Sequence, residues 1–141
     1  MSSAARHPPP LIVFVCEHGS AKSLMAALFV ERMARERGVA ARAVSRGTLP
    51  DASVPAAVVA ALREDGFDVA AFKPQLLTEA DLLSAARVVS IGADVAKRAA
   101  GPAAAVERWD DIPPISASYS QARQALLSRI DVLLRGMEQV P

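Results

Sequence analysis

Hydrophobic and polar positions along this chain switch repeatedly between two periods. Leu11 to Val15 is an unbroken apolar run of β-forming residues behind the triplet Pro8, Pro9 and Pro10. That is the pattern of a strand buried on both faces, and such strands belong to parallel sheets. From Ser23 to Arg37 the residues Met25, Leu28, Phe29 and Met33 recur at helical spacing, with Glu31, Arg32, Arg35 and Glu36 mostly off that stripe and Gly38 as the stop. Val39 to Ser45 predicts a second strand and Gly47 to Pro50 a turn. A helix then starts near Pro55, carries Val58, Val59 and Leu62, and ends at Gly66. Thr78 to Ala86 predicts a helix with Thr78 as its N-cap and Asp81 three residues on, where a carboxylate suits the helix N-terminus. Arg87 to Ile91 reads as a third strand, Asp94 to Ala100 as a short helix closed by Gly101 and Pro102, Ala104 to Trp109 as a fourth strand, and Asp110 to Ser116 as a Pro-rich loop. The last helix carries Tyr119, Ala122, Leu126, Ile130, Leu133, Leu134 and Met137 on one face. Strands alternating with helices predict an α/β fold with a doubly wound parallel sheet, whose ligands sit beyond the carboxyl ends of the strands.

The 141 residues suit one domain over positions 11–141 behind a short tail, Met1 to Pro10, expected to be disordered. Much of the 52% hydrophobic content is alanine, and no apolar stretch approaches the roughly 20 residues of a membrane span. Leu11 to Val15 is also far shorter than a signal-peptide core, so a cytoplasmic location is expected. The formal charge is +1 and neither sign gathers into a block, which argues against nucleic acid or a membrane surface as partner. With one cysteine and two histidines there is no intramolecular disulfide and no ligand set for a structural zinc site, and neither a metal nor another cofactor is expected.

The lone Cys16 is either buried filler or a reactive thiol, and its surroundings favour the second. The segment Cys16-Glu17-His18-Gly19-Ser20-Ala21-Lys22-Ser23 joins the first strand to the first helix, at the sheet edge where open α/β folds place their sites. Backbone N–H groups at that helix start have no intrahelical acceptors, and with the helix dipole they form a receptor for an anion. Residues 17–22 are therefore the expected phosphate cradle, with Gly19 and Ser20 small enough to admit an oxyanion. The helix terminus and the Lys22 ammonium both favour thiolate over thiol at Cys16. Lys22 would neutralise phosphate oxygens, and the Ser23 hydroxyl would donate to the departing sulfur. His18 would stabilise the thiolate, contact substrate or face solvent, whereas an inward Glu17 would oppose an anion.

This loop resembles the low-molecular-weight protein tyrosine phosphatases and the related thioredoxin-type arsenate reductases, whose signature is Cys, five residues, Arg, Ser. Cys16 and Ser23 match it, and Ser45-Arg46-Gly47-Thr48, Gly66-Phe67-Asp68 and Lys73-Pro74 fall where the family has similar turns, so the resemblance runs from about Leu11 to Leu134. It implies a four-stranded parallel sheet flanked by helices in three layers, and a covalent cysteinyl-phosphate mechanism. Three positions depart from the pattern. Lys22 stands where the family has Arg, in a chain with only three lysines against thirteen arginines, and lysine lacks the bidentate fork of arginine. Gly19 stands where the family usually has a loop-stiffening Asn. The family's general acid, an Asp directly before a Pro, would be Pro113 if Pro114 is aligned with that proline. Asp110 and Asp111 lie nearby, either as solvated loop carboxylates or with Asp111 as the acid.

The resemblance implies a hydrolase of phosphate monoesters acting on a phosphorylated substrate. Two alternatives stand beside it. One is an arsenate reductase, which with a single cysteine would need an external thiol such as glutathione or mycothiol. The other is a protein that binds an oxyanion or a phosphorylated partner without turnover.

Overall fold

A computed structural model of the chain describes residues 8–95 and 106–138. The tail residues 1–7, most of the helix expected at Asp94 to Ala100, and the first two residues of the expected fourth strand lie outside them.

The elements follow in the order β1 (Leu11–Cys16), α1 (Lys22–Arg37), β2 (Arg42–Gly47), α2 (Ala56–Glu64), α3 (Glu79–Ser84), β3 (Arg87–Ser90), β4 (Val106–Arg108) and α4 (Tyr119–Glu138). All strand pairs are parallel, in the order β2-β1-β3-β4, so the first strand to be made is central. Its apolar run is explained by that position. Ile12 and Phe14 turn to one face, packing with residues of α1, α2 and α4, while Val13 and Val15 turn to the other, packing with Leu77, Val88, Ala93 and Val95. Helices thus cover both faces, and the four-stranded three-layer α/β fold expected from the sequence is the one observed.

Boundaries moved where backbone bonding overrode pattern. The α1 helix ends at Gly38 in the left-handed region, with the Val39 amide turned back onto the Ala34 carbonyl at 2.8 Å. This closure keeps Val39 to Ala41 out of the sheet, and β2 begins at Arg42. At its other end β2 runs on through Gly47, which the sequence placed in a turn. The Gly47 amide donates to Gln75 O and its carbonyl accepts from the Leu77 amide, both at 2.9 Å. Thr78 caps α3 as expected, in a reciprocal capping box with Asp81.

One polar cluster ties three helices together. Asp65, just past α2, accepts from Arg123 Nη2 at 3.0 Å and from the Tyr119 hydroxyl, both on α4. Arg32 of α1 donates to the Asp65 carbonyl, with its guanidinium 4.3 Å from the centre of the Phe67 ring. Burial pushes the Asp65 carboxyl up, but hydrogen bonds from Arg123 and Tyr119 and the charges of Arg123 and Arg32 outweigh it and hold the group below its usual range. A depressed folded-state value stabilises the fold above the ordinary carboxyl pKa of about 4, and that stability is lost as pH falls through the lower value. Asp65→Ala is expected to destabilise the protein by about 1–2 kcal/mol at neutral pH, by taking the acceptor from the half-buried Tyr119 hydroxyl, while Arg123, 39% exposed, regains water. Thermal melts of wild type and Asp65→Asn should converge as the pH drops below about 4.

Candidate active site

The β1 strand ends on Cys16, and the chain turns through residues 17–21 into α1. Ala21, at the N-cap, supplies no side-chain cap, and α1 has no acidic residue in its first turn. The first-turn amides of α1 are therefore left facing the loop with nothing negative from the helix itself to neutralise them.

The turn after β2 holds this loop from behind. Thr48, Leu49 and Asp51 donate their amides to the carbonyls of Cys16, Glu17 and His18 at 3.2, 2.7 and 3.1 Å. The loop and β2 also meet at two glycines. Gly19 has φ +64°, and a Cβ there would lie 2.8 Å from the Gly47 nitrogen. A Cβ on Gly47 would in turn lie 2.9 Å from the Gly19 nitrogen. Only two glycines allow so close an approach of backbone to backbone.

Cys16 is buried, and its Sγ accepts the Gly19 amide at 3.3 Å and lies 2.9 Å from Ser23 Oγ. Ser23 Oγ lies 2.6 Å from Ser45 Oγ, which donates to the Gly19 carbonyl at 3.3 Å. Each hydroxyl carries one proton, so the direction of this chain is fixed at its end. With Ser45 donating to Gly19, Ser23 donates to Ser45 and the thiol donates to Ser23. When Cys16 ionises, both hydroxyls rotate, and Ser23 then donates to the thiolate while Ser45 donates to Ser23. The network accommodates either protonation state of the sulfur without moving a heavy atom.

In front of the loop lies a cavity of about 630 Å³. Cys16, Glu17, His18, Ser20, Ala21 and Lys22 form its floor and rim, Pro55, Val58 and Ala61 of α2 and its entry one wall, and Pro114, Ile115 and Tyr119 the other. Of the expected site residues, Cys16, Gly19, Ser20, Ala21, Lys22 and Ser23 are thus brought together. Glu17 and His18 stand on the exposed rim, with the His18 ring 3.2 Å from a Glu17 oxygen and 3.3 Å from an Asp51 oxygen. The Lys22 ammonium donates to the Ile112 carbonyl at 2.9 Å, joining the loop to the Pro-rich segment after β4.

Asp111 is not brought to the cavity. Its side chain is 64% exposed and pairs with Arg129 of α4 at 2.8 Å, and Asp110 pairs with Arg108 at 3.0 Å. The adjacent Ile112 is buried, and packing that side chain inward turns Asp111 outward. Trp109 is core, 1% exposed, with its ring 5.5 Å from that of Phe14. Tyr119, on the patterned face of the last helix, lines the cavity with its hydroxyl held by Asp65. Asp51 and Ser45 were not singled out individually as site residues. Neither has a local signal of chemistry, because each acts through partners 31 and 26 residues distant.

The profile of the low molecular weight phosphotyrosine protein phosphatases matches residues 11–107, from the first residue of β1 into β4. The chain belongs to this family.

Its solved relatives carry the same fold. A low molecular weight protein tyrosine phosphatase from T. tengcongensis superposes with a TM-score of 0.78 at 20% identity, over 90% of this chain and 99% of that one. An arginine phosphatase from Geobacillus stearothermophilus gives 0.76 at 21% identity, over 92% and 94%. A thioredoxin-dependent arsenate reductase from Corynebacterium glutamicum also gives 0.76 at 21%, over 95% of this chain but 64% of its own length. No curated protein matches the sequence. Solved proteins that share this fold thus include two phosphatases and an arsenate reductase. No helix among the described residues is long and apolar enough to cross a membrane.

Proposed function

We propose that the protein is a cysteine-dependent hydrolase of phosphate monoesters, with Cys16 as nucleophile. The observation that carries this reading is the reversible hydroxyl chain Cys16–Ser23–Ser45 directly under an uncapped helix start. It sets a hydroxyl donor beside the sulfur at the place where an oxyanion would bind. In the first step Sγ attacks phosphorus, the S–P bond forms, the P–O bond to the leaving group breaks, and that oxygen takes a proton. In the second, water attacks phosphorus and the S–P bond breaks, releasing Cys16 as thiolate onto the Ser23 hydroxyl.

The loop amides and Lys22 hold the phosphate oxygens. An ammonium has three donors, and one of them is used on Ile112, so two remain for the anion. Lys22→Met is expected to lower kcat/KM for an aryl phosphate about a hundredfold, the scale seen when one donor to a developing oxyanion is removed. We assign leaving-group protonation to water in the cavity, because Asp111 is turned outward beside the buried Ile112 and is paired with Arg129.

Hydrolysis of a generic aryl phosphate across pH, beside a Cys16→Ser control, tests the assignment. Turnover equal in the two proteins would sink it. Arsenate reduction is the second reading; with a single cysteine it needs an external thiol, for which the cavity of about 630 Å³ in front of Cys16 has room. Thiol-dependent arsenite production without phosphate release would establish it instead.

A further inference from the structure

We propose that Asp51 is the positioning residue of the anion loop, bracing it from the turn between β2 and α2 in place of a stiffening side chain at Gly19. The inference rests on the reading of that loop as an oxyanion site. Two hydrogen bonds and one ion-pair contact from Asp51 reach the loop. Its Oδ2 accepts the Ser20 hydroxyl at 2.7 Å, its Oδ1 faces His18 Nδ1 at 3.3 Å, and its amide donates to the His18 carbonyl at 3.1 Å. Ser20 is 1% exposed, so its hydroxyl depends on this partner rather than on water. Position 19 offers no side chain, and its amide and carbonyl are already engaged by Cys16 and Ser45.

Charge alone argues against a carboxylate here. Asp51 lines the cavity together with Glu17, and the nearby positive groups are Lys22 and, when protonated, His18. A second negative charge at the rim weakens an anion's binding by Coulomb repulsion. A purely electrostatic role and a positioning role therefore predict opposite signs. If Asp51 acts only through its charge, removing it tightens anion binding. If it acts by holding Ser20 and the 16–20 backbone in place, removing it loosens the cradle and weakens binding.

The decisive experiment is calorimetric titration of inorganic phosphate and vanadate into wild type, Asp51→Ala, Asp51→Asn and Ser20→Ala, with a thermal melt of each. Asp51→Ala is expected to bind about tenfold more weakly, the worth of a charge-assisted hydrogen bond. Asp51→Asn should bind at least as tightly as wild type, since its amide oxygen still accepts from Ser20 and the charge is gone. Asp51→Ala added to Ser20→Ala should cost little more than either alone. Tighter binding by Asp51→Ala would overturn the proposal. Amide hydrogen exchange over residues 17–21 decides the same point without an anion. Exchange should quicken about tenfold in Asp51→Ala and Ser20→Ala but not in Asp51→Asn, and unchanged exchange would also overturn it. A wild-type protein that binds no oxyanion would count against the anion-site reading, while the exchange data would still decide the role of Asp51.

Discussion

Cys16→Ser is expected to reduce phosphatase turnover by more than about a thousandfold, with stability and phosphate binding nearly unchanged. The size follows from losing the nucleophile of a two-step mechanism, where removal of one member costs nearly as much as removal of all. The preserved fold follows from geometry. A hydroxyl at position 16 can join the chain to Ser23 and Ser45, and it leaves the Gly19 amide an acceptor. Steady-state kinetics, a melt and a phosphate titration on the same preparation separate the outcomes. Lost turnover with intact binding supports the nucleophile. Undiminished turnover would mean that the chemistry runs through another group.

Gly47→Ala is expected to be the most damaging substitution outside the loop. The new Cβ would lie 2.9 Å from both the Gly19 nitrogen and the His18 carbonyl carbon, and 3.0 Å from the Glu17 carbonyl oxygen, all backbone atoms with no rotamer to change. The loop must move away, and with it the amides that would receive the anion. Overpacking of this kind costs about 1–3 kcal/mol, or roughly 3–10 °C in melting temperature for a domain of this size, and phosphate binding should fall by at least about tenfold as the cradle opens. Gly19→Ala should behave alike, adding left-handed strain to its own 2.8 Å contact. Gly38→Ala is the control. It shares the positive φ, +69°, but has nothing within 4 Å, so it should lose about 1 kcal/mol from strain alone and leave the anion site untouched. Equal effects of Gly38→Ala and Gly47→Ala on phosphate binding would refute the close-approach argument.

The features that the amino-acid sequence determined by itself are local ones. The five-residue run Leu11 to Val15 can be satisfied only by burial on both faces, so it marked the central strand. The 3.6-residue recurrence of Met25, Leu28 and Phe29 marked α1, and Thr78 with Asp81 marked the start of α3, because capping is settled within four residues. The spacing from Cys16 to Ser23 placed a thiol, a lysine and a hydroxyl at one strand-to-helix junction, and the structure keeps them there. What the tertiary structure decided depends on segments far apart in the chain. Register between β1 and β2 sets Cys16 beside Gly47, which brings Ser45 to Ser23 and the two glycines into contact. The turn after β2 folds back to give Ser20 its partner Asp51, and the segment after β4 brings the Ile112 carbonyl to Lys22 from 90 residues away. That same segment buries Ile112 and so points Asp111 at Arg129, the reverse of what its nearness to a proline suggested. The reactive group and the helix that serves it lie within one short stretch of chain, so local pattern was enough to find them. The braces around them are hydrogen bonds between separate elements, and no pattern along the chain encodes which distant group will lie within 3 Å.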